Sequence, residues 1–237
     1  MEELFRSGTL DMSASPLAGL EGSLLPLWGD VLTNRILAVV AVVLLVAALP
    51  DLFRLMPHLL FCYDRSRGAV SLQHSLSVAR TRDMVAHAFV MAMALVADRF
   101  ALLDADFLRQ VPAGWHAPAT IGLVAAFLFV RLLCHLTLRP RRLNGEEAAA
   151  LKGNLYNYVI PMAVIALTTI GILTLARVPD ALIRRVLIGE CAVLWAFFLL
   201  RSGQILATRC AGFSTILYLC GLEILPTALL TALVVVF

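Results

Sequence analysis

The residues of this chain that could do chemistry are few, and they lie where a charge is costly. Residues 213–237 form an apolar run long enough to cross a bilayer, interrupted by Glu223 about ten residues in, roughly 15 Å deep at the helical rise. Gly221 and Pro226 flank it, so an acid, a helix-loosening glycine and a helix-kinking proline fall within two turns. An acid at that depth marks a proton, cation or substrate site, or else a structural pair. Arg131 suits the pair: it enters its own apolar run from the same side, about seven residues or ~10 Å deep, on a side chain long enough to reach further. His135 follows Arg131 by one turn on the same helical face.

The other candidates are thinner. His87 and His135 fall at matched depth in two runs, and two neutral imidazoles so placed could ligate a haem iron axially. Nothing supplies a second pair, so both are read as packing or hydrogen-bonding residues and no cofactor is expected. His58 and Cys62 stand one turn apart as half a metal site, without the two further ligands a tetrahedral ion needs. The chain has no nucleophile elbow, phosphate loop, HExxH helix or dinucleotide fingerprint, so no catalytic residue is assigned.

The elements that must position these groups are apolar runs. Of 237 residues, 61% are hydrophobic and 15% charged, against about a quarter charged in a soluble domain, and the mean hydropathy is +0.89. The length accommodates five or six helices of ~20 residues with short loops. We read an all-α polytopic bundle of about six transmembrane helices plus an amphipathic interfacial helix, with residues 1–34 as an acidic non-cytoplasmic tail and 35–237 as one membrane domain. The expected spans are 36–53, its end kinked at Pro50; 84–103, interrupted by Asp98 and Arg99; 119–138; 155–175, bent at Pro161; about 181–200; and 213–237. Leu72, Leu76 and Ala79 recur at helical spacing before the second span and predict the interfacial helix. A polar loop is expected over 104–118. The five cysteines form no CxxC pair and predict no disulfide framework.

The positive charge is almost all arginine and lies between the runs. This pattern serves topology and lipid headgroups, and it lacks the basic groove that a nucleic acid would need. Alternate loops hold eleven Lys and Arg on one side (Arg54, Arg65, Arg67, Arg80, Arg82, Arg139, Arg141, Arg142, Lys152, Arg201, Arg209) and seven on the other. The richer side is expected to face the cytoplasm, which puts both termini outside it. No internal repeat is visible, so the inverted-repeat pattern of many transporters finds no support.

The closing stretch Tyr218-Leu219-Cys220-Gly221-Leu222-Glu223-Ile224-Leu225-Pro226, with Arg201-Ser202 upstream and the layout of the runs, resembles a family of uncharacterised bacterial inner-membrane proteins. That family is a conserved domain of unknown function typical of Bacteroidota-type bacteria. Tyr218, Cys220, Glu223 and Pro226 match its motif, while Gly221 departs from the bulkier residue expected there. The resemblance implies a bacterial inner membrane and no settled activity. The function expected from the whole reading is an interaction or assembly component of a membrane complex, with a membrane-protein partner or a second copy of itself. The alternative is a small proton-linked carrier or channel built on Glu223, and a haem protein stands below both.

Overall fold

The computed structural model of the chain describes residues 28–64, 72, 75–103, 105–138, 144–208, 210 and 212–236. Among these it is helical, with no strand. A turn of 3-10 helix, Trp28–Asp30, precedes α1 (Leu32–Asp64). There follow α2 (Leu76–Arg99), the single turn α3 (Asp106–Arg109), α4 (Ala113–Thr137), α5 (Gly145–Leu175) and α6 (Asp180–Ala207). The closing helix has three parts: α7 (Gly212–Leu219), a π-helical turn (Cys220–Ile224) and α8 (Leu225–Val236).

Four of these helices, α1, α4, α5 and the closing one, are long and apolar enough to cross a membrane. Their surfaces agree with that length. Val39, Val43, Phe53, Phe129, Ile172 and Leu229 are all exposed, and only 11% of the most apolar window of α1 is buried. A protein in water rarely shows so continuous an apolar surface. α2 and α6 have 24 and 28 residues but carry more charge, at both ends of α2 and at Arg184, Arg185, Glu190 and Arg201 of α6.

The structure moves several expected boundaries. The first helix does not end near Arg54: it runs through Pro50 and Pro57 to Asp64. Each proline removes one helical hydrogen bond, but Leu52, Leu55 and Leu59 beyond Pro50 bury against Val85, Ala86 and Phe89 of α2 and Ile160 and Ala163 of α5. That packing keeps the helix going. Most of the expected interfacial helix lies outside the described residues, and Leu76 and Ala79 belong to the same unbroken helix that continues to Arg99. α2 stops there and not at Leu103, because the chain turns at Ala101, whose φ is 47°. The polar loop over 104–118 is partly helical, and Pro118 lies in the second turn of α4, inside the helix. α5 starts ten residues before the expected span. Asn144 caps its third amide and Glu147 returns to the Asn144 N–H at 3.1 Å, a capping box that the two glutamates reinforce against the helix dipole. The acidic tail before Trp28 and the basic loop at 139–143 lie outside the described residues.

The long helices alternate in direction. At one end Trp28, the last turn of α2 and the start of α4 meet through Asp98, and Arg99 reaches Asp180 at the start of α6 at 3.0 Å. At the other end Tyr63 closes α1, Arg82 opens α2, and both meet α5 at Asn157, while Arg201 from the end of α6 donates to the Tyr63 carbonyl.

Candidate functional site

Glu223 sits in the π turn because of Pro226. The proline has no N–H to give the preceding turn, and the Leu225 N–H reaches back five residues to the Cys220 carbonyl. The extra residue in this turn puts Leu222 and Glu223 inward together, 0% and 1% exposed. Leu222 packs with Leu151, Ile205 and Leu206, which fixes the turn against α5 and α6. Gly221 lets the turn approach α4, since a Cβ there would lie 3.1 Å from Leu138 Cδ1.

Arg131 meets Glu223 in a two-pronged bridge, Nε to Oε2 and Nη2 to Oε1, both 2.8 Å. The remaining terminal nitrogen, Nη1, donates to the Lys152 carbonyl at 3.0 Å, and the guanidinium lies 5.8 Å from the Phe198 ring centre. His135 Nε2 is 3.2 Å from Glu223 Oε1. The pairing expected between Arg131 and Glu223 is therefore present, with His135 added to it. Paired so, the two buried charges offset one another's loss of hydration, and each would be costly alone.

The other expected residues stand apart. Tyr218 is half-buried beside the Leu222 cluster, Cys220 is exposed, and Pro226 is buried and acts through the backbone. His87 bonds the Asp83 carbonyl and leans on Tyr156, at 5.2 Å between ring centres, while the ring of His135 is engaged by Glu223. His58 and Cys62 gain no further ligand, for no group of three metal-binding side chains exists among the described residues.

A cavity of about 900 Å³ opens from this pair. Its walls are apolar and come from α2, α4, α5, α6 and α8, with Met93, Phe127, Met162, Trp195 and Leu230 among them. Arg131 and Glu223 line one end. Leu103 and Ala232 line the other, and Ala232 is nine residues from Glu223, or ~13 Å by helical rise. The volume is near the upper end of the roughly 300–1,000 Å³ of small-molecule sites.

Three polar groupings were not foreseen. Asp98, whose side chain is 0% exposed, accepts from Trp28 Nε1 at 2.6 Å and Thr120 Oγ1 at 2.9 Å and bonds His116 Nδ1. Arg82 is buried over Gly153, held by Asp83 at 2.6 Å and by Asn157 Oδ1 at 3.4 Å. Pro161 cannot donate to the Asn157 carbonyl, and the Tyr63 hydroxyl does so in its place. Glu190, in the first half of α6, accepts from Thr169 at 2.6 Å, and its Oε2 has no hydrogen-bond partner among the described residues. The available signals were His116 and Thr120 at i, i+4 and the charges inside apolar runs.

No protein-family model, curated protein or solved structure matches the chain.

Proposed function

We propose that this is a six-span membrane protein that binds a membrane-borne molecule inside its bundle, in the carrier class. The observation that carries this reading is the 900 Å³ cavity with apolar walls and an ion pair at one end. A proton-linked step at Glu223 is not needed for it. The bidentate hold of Arg131 suits a fixed polar end better than an acid that gains and loses a proton in each cycle. The assembly-component reading rests on the basic loops between the spans, of which 65–71 and 139–143 lie outside the described residues.

Six crossings are supported by direction. If α1 crosses and α4 starts again at the level of Trp28, then α2 has returned the chain across the bilayer. The Arg99–Asp180 pair supports a start of α6 at that same end, and the Arg201 contact with Tyr63 supports a finish at the other. The charge bias and the family resemblance support a bacterial inner membrane with both termini outside the cytoplasm. A single cysteine placed at Gly145 in a Cys-free background should be labelled only after the membrane is opened, and one at Leu175 from outside intact cells. The reverse pattern would invert the orientation.

The binding reading is tested on purified protein. Organic extraction followed by mass spectrometry should recover a molecule in near-stoichiometric amount from the wild type. Ala97→Phe, which adds a ring to a small lining residue, should lose most of it while remaining folded. Recovery of bulk lipid and detergent alone, in the same proportions from both proteins, would remove the reading.

A further inference from the structure

The cavity also constrains its ligand, given the reading that it is a binding site. Among the described residues, Arg131 and Glu223 are the only charged ones that line it, and they neutralise each other. A charged head group placed beside them would leave one unit of charge uncompensated in a low-dielectric site, which costs several kcal/mol per ion. The pair still has hydrogen-bonding capacity. The guanidinium has five N–H groups, and three go to Glu223 and the Lys152 carbonyl, which leaves two without a partner among the described residues. Among the described residues, Glu223 Oε2 accepts from Arg131 Nε alone. Two donors, one each on Nη1 and Nη2, and one acceptor, Oε2, therefore remain on the pair that forms the polar end of the cavity.

The walls show the direction of entry. α6 contributes Ile188, Cys191 and Trp195, and α8 contributes Thr227 and Leu230, yet no extended packing interface joins these two helices. Trp195 is 37% exposed at that edge. The gap faces the side of the bundle, where the solvent is lipid. Thr227 and Thr231 line it with hydroxyls that already donate to their own helix, at 2.8 Å to Ile224 O and 2.9 Å to Thr227 O, so the edge is nearly apolar in effect.

We propose that the occupant is an uncharged lipid-like molecule, a long hydrocarbon ending in one hydroxyl or carbonyl group, which enters from the bilayer between α6 and α8 and sets that group against the Arg131–Glu223 pair. Hydrocarbon fills the apolar length, where Met93 and Met162 can adapt their shape to it. A hydroxyl accepts from a spare Arg131 N–H or donates to Glu223 Oε2, a carbonyl accepts from the N–H alone, and either leaves the ion pair closed.

Fluorescence quenching of Trp195 tests this directly. The protein, carrying Trp28→Phe and Trp115→Phe, is placed in lipid nanodiscs and titrated with 9,10-dibromo-octadecanol, with the matching dibrominated carboxylate, or with a phospholipid bearing the same chain. The alcohol should reach half-quenching at about a tenfold lower mole fraction than the other two, a difference of about 1.4 kcal/mol. Ala97→Phe should abolish that preference. Because Trp28 bonds Asp98, the unmodified chain gives a second readout, in which the alcohol alone should raise the Tm. Equal quenching by the phospholipid, or stronger quenching by the carboxylate, with sensitivity to Ala97→Phe, would overturn the ligand class and leave the cavity as a binding site. Quenching that ignores Ala97→Phe, for every probe, would overturn the binding reading itself.

Discussion

Arg131→Met is expected to destabilise the protein by about 3–5 kcal/mol, the usual cost of stranding one member of a buried ion pair. Glu223 would be left 1% exposed with only His135 beside it. Its charge is then uncompensated, and water can reach it only at the expense of the Leu222 packing. Glu223→Gln should cost a similar amount from the other side, since Arg131 is always charged and is held at 5% exposure. The double variant should recover part of the loss, because neither charge is then left alone, and the coupling should be about 1–3 kcal/mol. Unfolding measured in detergent or lipid for the four proteins of the cycle decides it. Strictly additive losses would mean that the two side chains do not meet.

Gly153→Ala is expected to destabilise by about 1–3 kcal/mol, as overpacking does, although alanine is the better helix former. A Cβ at Gly153 would lie 2.5 Å from Arg82 Nη2 and 2.9 Å from its Cζ and Nη1. The guanidinium cannot step aside cheaply, for it is 1% exposed and tied to Asp83 and Asn157. In an Arg82→Ala background the same change should reverse sign and stabilise by about 0.5–1 kcal/mol, the ordinary gain of alanine over glycine inside a helix. Thermal unfolding of the two pairs of proteins measures this. A loss that persists without Arg82 would place the obstruction elsewhere.

What could be read from the residues alone was whatever can be counted along one helix. The depth of Glu223 and Arg131 in their runs, on a shared side, was enough to pair them, and His135 followed from its position one turn from Arg131. Which helices are neighbours cannot be counted in this way. Asp98 looked like a flaw in a span, because the groups that satisfy it come from residues 18, 22 and 70 positions away. By its sequence neighbourhood Arg82 reads as part of a basic loop, and its burial depends on a glycine 71 positions on that has no side chain to obstruct it. The first helix continues to Asp64, although Pro50, Asp51 and Arg54 form a strong local stop signal. The leucines that overrule it draw their stability from α2 and α5. The cavity had no local signal at all, since five separate helices wall it.

The most direct test of binding inside the bundle is an experimental density map of the protein in nanodiscs, with a rigid fiducial added to its small mass. An elongated density should fill the space between α6 and α8 and end about 3 Å from Arg131 or Glu223, within hydrogen-bond reach. The ion pair should stay closed beneath it. A bundle in which Trp195 and Leu230 meet across a collapsed cavity, with no density between them, would contradict it.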